Sequence, residues 1–183
     1  MAEIKVKKNV KRSFFEVSAP LTSTKISLYA ASKDELVNKI VRLDLTRHLR
    51  GKSLELAFRI LKKGEELEGE PISLILAGSF IRRMMRKGAD YVEDSFVVDL
   101  KEGKAIVKPF LIARNKVSRG IRSSLRETAK KYLTDYLKTR DVRELFSEII
   151  SNKIQKDLSL KLKKVYPLAL CEIRVFELIE NKK

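Results

Sequence analysis

The chain has 183 residues, 44% of them hydrophobic, enough for one sizeable core or two small lobes. Its 40 Lys and Arg stand against 24 Asp and Glu; the resulting +16 points to phosphate backbones or anionic surfaces as partners. A single cysteine, Cys171, and a single histidine, His48, exclude an internal disulfide and the usual Cys/His zinc sets, and no apolar stretch is long enough to cross a bilayer.

Residues 1–12, MAEIKVKKNVKR, carry Lys5, Lys7, Lys8, Lys11 and Arg12 without a stable periodicity. They are expected to form a basic tail that orders only on binding, followed by one domain over 13–183. The segment has charge but lacks the apolar stretch of a secretory leader, so a reducing, cytoplasmic setting is the simplest expectation. FFEVSAP and TKISLYAA read as short strands joined by a proline-bearing turn. NKIVRLDL alternates cleanly, with Val41, Leu43 and Leu45 facing inward, as a half-buried strand does. The basic TRHLRGK follows, contributing Arg47, Arg50 and Lys52. SLELAFRILKK places Leu54, Leu56, Phe58 and Ile60 on one face of a further strand.

GEELEGEP, with two glycines and a proline, predicts a solvated acidic turn over Glu65, Glu66, Glu68 and Glu70. ISLILAG then reads as a buried strand, and SFIRRMMRKG as a short helix capped by Ser79 and bearing Arg82, Arg83, Arg86 and Lys87. DYVEDSFVVDL and KAIVKPFLIAR read as a hairpin about Glu102-Gly103, with Pro109 marking an edge or a bulge because it cannot donate to the ladder. Beyond it the period lengthens. Ile121, Leu125, Ala129, Tyr132 and Tyr136 predict one stripe of a long helix. Asp141 and Glu144 have the spacing of a capping box for VRELFSEII; Ile154, Leu158, Leu162 and Val165 mark a last helix ending before Pro167. LALCEIRVFELI closes the chain as a strand, with Cys171, Ile173 and Val175 on one face. Strands, a short helix, a hairpin, helices and a final strand make an α+β protein, with a mainly antiparallel sheet and helices packed on it.

The stretch RNKVSRGIRSSLRETAKK, residues 114–131, gathers Arg114, Lys116, Arg119, Arg122, Arg126, Lys130 and Lys131 against one acid, Glu127. Arg119, Arg122, Arg126 and Lys130 are three, four and four residues apart, which puts them in one stripe beside the apolar one. A merely solvated face would interleave Glu with Lys. The helix start adds free N–H groups and a positive dipole end suited to phosphate. Cations on the tail, on TRHLRGK, on the short helix and on the long helix fit a large, irregularly folded partner, and structured RNA meets that description better than duplex DNA. No paired aromatics mark a central strand, so base stacking is not inferred. Catalytic machinery is thin: His48 stands alone in a turn, Cys171 faces an apolar side, and the seven glycines are scattered singly. Asp90, Glu93, Asp94 and Asp99 are the only acids that suggest a metal-dependent nuclease, and their spacing spreads them over both faces of a strand.

The strand pair followed by ARNKVSRGIRSSLRETAKKYL, the Lys156-Asp157 pair upstream of VYPL (Val165 to Leu168), and the KRSFFEVSAP start ending in Ala19-Pro20 resemble the archaeal and eukaryotic small-subunit ribosomal proteins of the S-three-A-e family. Phe14-Phe15 stands where that family usually has a Trp, and AGSFIRR where it has Asp-Leu-Thr-Arg. The resemblance implies a barrel-like sheet with helices on it, no catalysis, no cofactor and no small-molecule substrate. It further implies a place on the subunit platform near the exit of the messenger RNA, touching small-subunit rRNA, neighbouring small-subunit ribosomal proteins and the messenger itself. A free-standing RNA chaperone and an RNA-processing enzyme using Asp90 and Asp94 are the rival readings.

Overall fold

The computed structural model describes residues 11–179 apart from 23, 50 and 65, so Lys5, Lys7, Lys8, Arg50 and Glu65 lie outside the described residues. The chain forms two compact units, one of Met1–Val41 with Phe58–Glu70 and one of Arg42–Ala57 with Pro71–Lys183.

In the first unit β1 (Ser13–Ala19) and β2 (Thr24–Ala30) make an antiparallel hairpin in which Phe14 lies opposite Tyr29 and Val17 opposite Ile26. A one-turn helix, α1 (Lys33–Leu36), buries Leu36 and has no periodic signal in the sequence to announce it. β3 (Ile40–Asp44), β4 (Leu54–Lys63) and β5 (Glu66–Leu76) each give residues to both units. β3 keeps the expected alternation, and β4 buries Leu54, Leu56, Phe58 and Ile60 as its spacing predicts.

The acidic segment is not a turn. β5 begins at Glu66 and runs through it, with Leu67 paired in parallel to Val17 of β1. Gly64, at φ +62°, keeps the turn conformation. Gly69 is inside the strand because the Phe58 ring lies on its backbone: a Cβ there would sit 2.5 Å from Phe58 Cδ2. Glu68 is held by an ion pair with Lys63. Turn-forming residue types were outweighed by a packing contact that spacing does not reveal. Gly69→Ala is expected to lower stability by about 1–3 kcal/mol, read from urea unfolding, because the ring must leave its position; a smaller Phe58→Leu side chain in the same chain should recover part of that loss.

The second unit adds α2 (Gly78–Met84), β6 (Tyr91–Glu93), β7 (Phe96–Leu100), β8 (Gly103–Ala113), α3 (Arg119–Leu137), α4 (Val142–Ile150), α5 (Lys153–Leu162) and β9 (Leu168–Ile179). Its strands follow the order β5-β9-β8, with β6 and β7 sharing the far side of β8. DYVEDSFVVDL is thus two strands, broken at Asp94-Ser95. Pro109 falls in that break: β6 pairs with β8 from Phe110 onward and β7 up to Val107. The missing N–H is therefore not needed on that side. On the other side the β8–β9 register shifts between Lys108 and Pro109, pairing Lys108 with Val175 and Pro109 with Ile173. The bulge expected from the proline is present, carried by the extra residue Arg174 on β9. It also moves the buried phase of β9 from Cys171 and Ile173 to Phe176, so Val175 is only half-buried.

The expected barrel is not formed. The sheet is mixed and mostly antiparallel; among the described residues β2 pairs only with β1 and β6 only with β8, so the sheet is open rather than closed. The core of the second unit lies between its strands and the three carboxy-terminal helices. Leu125, Ala129, Leu133 and Leu137 of α3 are fully buried, and Phe146 of α4 meets Phe176 of β9 edge-on at 5.1 Å. The α3 stripe runs on through Leu133 and Leu137 rather than Tyr132 and Tyr136, which are half-buried. Its three buried leucines contribute roughly 5–9 kcal/mol of gross apolar burial. Two helix caps differ from expectation. Ala77, not Ser79, precedes α2; Asp141 does precede α4, but no capping box forms, because its carboxylate takes Lys101 Nζ at 2.9 Å and Glu144 faces Arg140 at 3.8 Å.

Candidate nucleic-acid interface

The basic joint is built by three local contacts. Asp90 Oδ2 accepts the Val117 N–H at 3.0 Å, fixing residues 114–117 against the start of β6. Ser118 caps α3, its Oγ accepting from the Ile121 N–H at 3.4 Å. α3 then turns its buried stripe inward, which leaves Arg119, Arg122, Arg126 and Lys130 outward along its flank, within about 80° of arc at about 100° per residue. All four are exposed, as are Arg114, Lys116 and Lys131.

Four carboxylates of this unit are paired with other cations. Asp99 faces Lys104 at 3.7 Å, Glu148 holds Lys153 at 2.8 Å, Glu93 holds Arg174 at 3.0 Å and Asp141 holds Lys101. Among the described residues no carboxylate lies within ion-pair distance of Arg114, Lys116, Arg119, Arg122, Arg126 or Lys130. Lys130 lies over the Phe96 ring, with its Nζ 5.8 Å from the centroid. The helix flank is an exposed row of cations with no carboxylate at ion-pair distance among the described residues.

Other predicted cations differ in detail. Arg82, Arg83, Arg86 and Lys87 are exposed on and just after α2. Arg83 is partly used by the fold: its guanidinium donates to the Gly51 carbonyl at 3.0 Å and lies over Phe80 at 5.4 Å. That bond draws α2 to the turn bearing the exposed Arg47, so these two patches are joined. Lys11 and Arg12 are exposed just before β1 in the first unit. Lys52 does not belong to the basic surface. It is 8% exposed, with Nζ 2.6 Å from both Glu172 Oε2 and Asn152 Oδ1, and it ties the strand entering β4 to β9 and to the α4–α5 junction. Nothing in its local sequence distinguishes it from Arg47; the carboxylate that captures it is 120 residues away.

Three of the four acids behind the rival catalytic reading do structural work, and the fourth, Asp94, accepts the Ser95 N–H at 2.9 Å. Asp90 holds the joint, Glu93 and Asp99 are paired, and no group of three or more His, Cys, Asp or Glu suited to a metal occurs among the described residues. Burial pushes the Cys171 thiol up to about 12, with the nearby Glu172 charge adding to it, as fits a core residue rather than a nucleophile. His48 is exposed in the 46–49 turn. One feature escaped the spacing rules: Phe14 and Tyr29, distant in sequence, form an exposed aromatic pair through the β1–β2 register. Each strand on its own shows a single aromatic at that level, so only the pairing reveals the surface.

The structure thus presents an exposed cationic helix flank on an open α+β scaffold. Residues 4–182 match the Ribosomal S3Ae family, and the chain belongs to that family of non-enzymatic constituents of the small ribosomal subunit. It is similar to the small ribosomal subunit protein eS1 of Nanoarchaeum equitans, with 24% identity over 181 residues covering 94% of this chain and 91% of the relative. The eS1 protein of Picrophilus torridus is 25% identical over 138 residues, covering 74% of this chain and 66% of the relative. That of Methanothermobacter thermautotrophicus is 26% identical over 103 residues, covering 56% and 53%.

Proposed function

We propose that this ribosomal protein binds folded small-subunit rRNA by charge neutralisation, with the α3 flank as its principal contact. The observation that carries the reading is the α3 row, Arg119, Arg122, Arg126 and Lys130, which is exposed and has no carboxylate at ion-pair distance among the described residues, while Asp99, Asp141, Glu93 and Glu148 are paired to other cations. Arg114 and Lys116 extend the row to the helix start, and Arg47, Arg82, Arg86 and Lys87 offer a second approach on α2 and its adjoining turn. Lys7, Lys8 and Arg50 would add to these contacts. Phosphate backbones brought together on such a surface repel each other less, which lets separate RNA segments approach. In this proposal the protein sits on the platform, near the exit of the messenger RNA and beside other small-subunit proteins, as the family resemblance leads one to expect.

With about six phosphate contacts, affinity for an rRNA fragment should fall about a thousandfold between about 50 and about 200 mM salt. A nearly flat titration would sink the electrostatic reading. Sedimentation of a cell extract through a gradient should carry the protein with the small subunit in near-stoichiometric amount; a free-standing chaperone would stay near the top.

A further inference from the structure

Phe14 and Tyr29 are the one ring pair among the described residues in which both members are exposed, 72% and 57% respectively. They face each other across the β1–β2 hairpin with centroids 5.1 Å apart and planes tilted by 48°. Two large rings left in water on a well-paired hairpin favour a partner that covers them. The surroundings indicate what kind. Along the same face the next cross-strand pairs are Glu16 with Ser27 and Ser18 with Lys25, all polar, and Lys25 is paired to Glu16 at 3.1 Å. An apolar protein surface would leave that polar margin poorly matched. Directly before β1 come the exposed Lys11 and Arg12, which continue a sequence run with Lys5, Lys7 and Lys8. Flat apolar rings beside a cationic strand end match a nucleotide, which combines a π-face with a phosphate.

We propose that Phe14 and Tyr29 form a stacking platform for unpaired RNA bases, with Lys11 and Arg12 meeting the adjoining phosphates. The proposal rests on the RNA-binding reading above and adds to it a preference for unpaired over paired RNA. The rings come from two strands of a hairpin.

The chain has no Trp, so Phe14→Trp introduces a single indole at the platform. Its emission should be quenched by a short oligoadenylate and little changed by a fully paired RNA duplex of equal length. Phe14→Thr and Tyr29→Thr, which keep a strand-forming residue at each exposed site, should each weaken oligoadenylate binding about tenfold. The salt dependence should keep its slope, since no cation is removed. Unchanged indole emission while the same protein binds oligoadenylate in a salt-dependent way would overturn the platform and leave the phosphate reading intact. Loss of subunit incorporation by the Thr variants at undiminished RNA affinity would also overturn it and assign the pair to a neighbouring protein. Failure of the native chain to bind either RNA at low salt would remove both readings.

Discussion

Exchanging Arg119, Arg122, Arg126 and Lys130 together for Gln is expected to weaken binding of a small-subunit rRNA fragment by about three orders of magnitude at ~0.1 M salt, and to flatten its log–log salt dependence by about three to four units. Each phosphate contact releases a counterion, so four lost contacts remove nearly the same number of units from the slope. Gln keeps helix propensity close to that of Lys and Arg, and the four side chains make no ion pair in the fold, so circular dichroism and the thermal midpoint should hardly move. The discriminating control removes charge of the same sign from positions that the protein already neutralises. Lys101, Lys104 and Lys153 are paired with Asp141, Asp99 and Glu148. Their joint replacement by Gln should change the affinity by less than about tenfold. An equal loss in both variants would mean that binding follows net charge alone, and the α3 row would lose its special place.

Lys52→Met should lower the stability of the second unit by about 3 kcal/mol, which for a chain of this size is a thermal midpoint lower by about 6–12 °C. Lys52 and Glu172 have side chains only 9% and 12% exposed, so removing the ammonium leaves a carboxylate in a poorly solvated site, and Asn152 loses its donor as well. The cost comes from the orphaned partner. Replacing both, Lys52→Met with Glu172→Leu, should therefore recover most of the loss, since two apolar side chains replace a pair that was expensive to desolvate. RNA affinity at a temperature where both proteins are folded should be the same as for the native chain. A Lys52→Met protein of native stability and weakened RNA binding would return this lysine to the basic surface.

These two predictions concern lysines and arginines that look alike in the sequence. Periodicity made the α3 row legible because a helix turns spacing directly into geometry: residues three and four apart share a flank whatever the rest of the fold does. The strands β3 and β4 were legible for the same reason at period two. What the sequence concealed was set by contacts between distant segments. Lys52 is captured by Glu172, Gly69 is drawn into β5 by the Phe58 ring, and Asp141 gives its carboxylate to Lys101 instead of its own helix. Phe14 and Tyr29 become a surface only through hairpin register. Pro109 is an intermediate case. It announced an irregularity in β8 but not that β9 would supply the extra residue, nor that β6 and β7 would part at that level. Closure of the sheet was likewise beyond local pattern, since alternation is the same in a barrel and in an open sheet.

The position of β9 has a consequence for biosynthesis. This strand, made after all the other described strands, lies between β5 and β8, and both of those emerge from the translating ribosome without the neighbour that joins them. Until residues 168–179 are released, β5 and β8 each present an open edge, and Phe146 lacks the Phe176 ring it meets edge-on. The sheet of the second unit is therefore completed only after its helices have been synthesised. A nascent chain halted before Leu168 would expose unpaired strand edges on a highly cationic polypeptide.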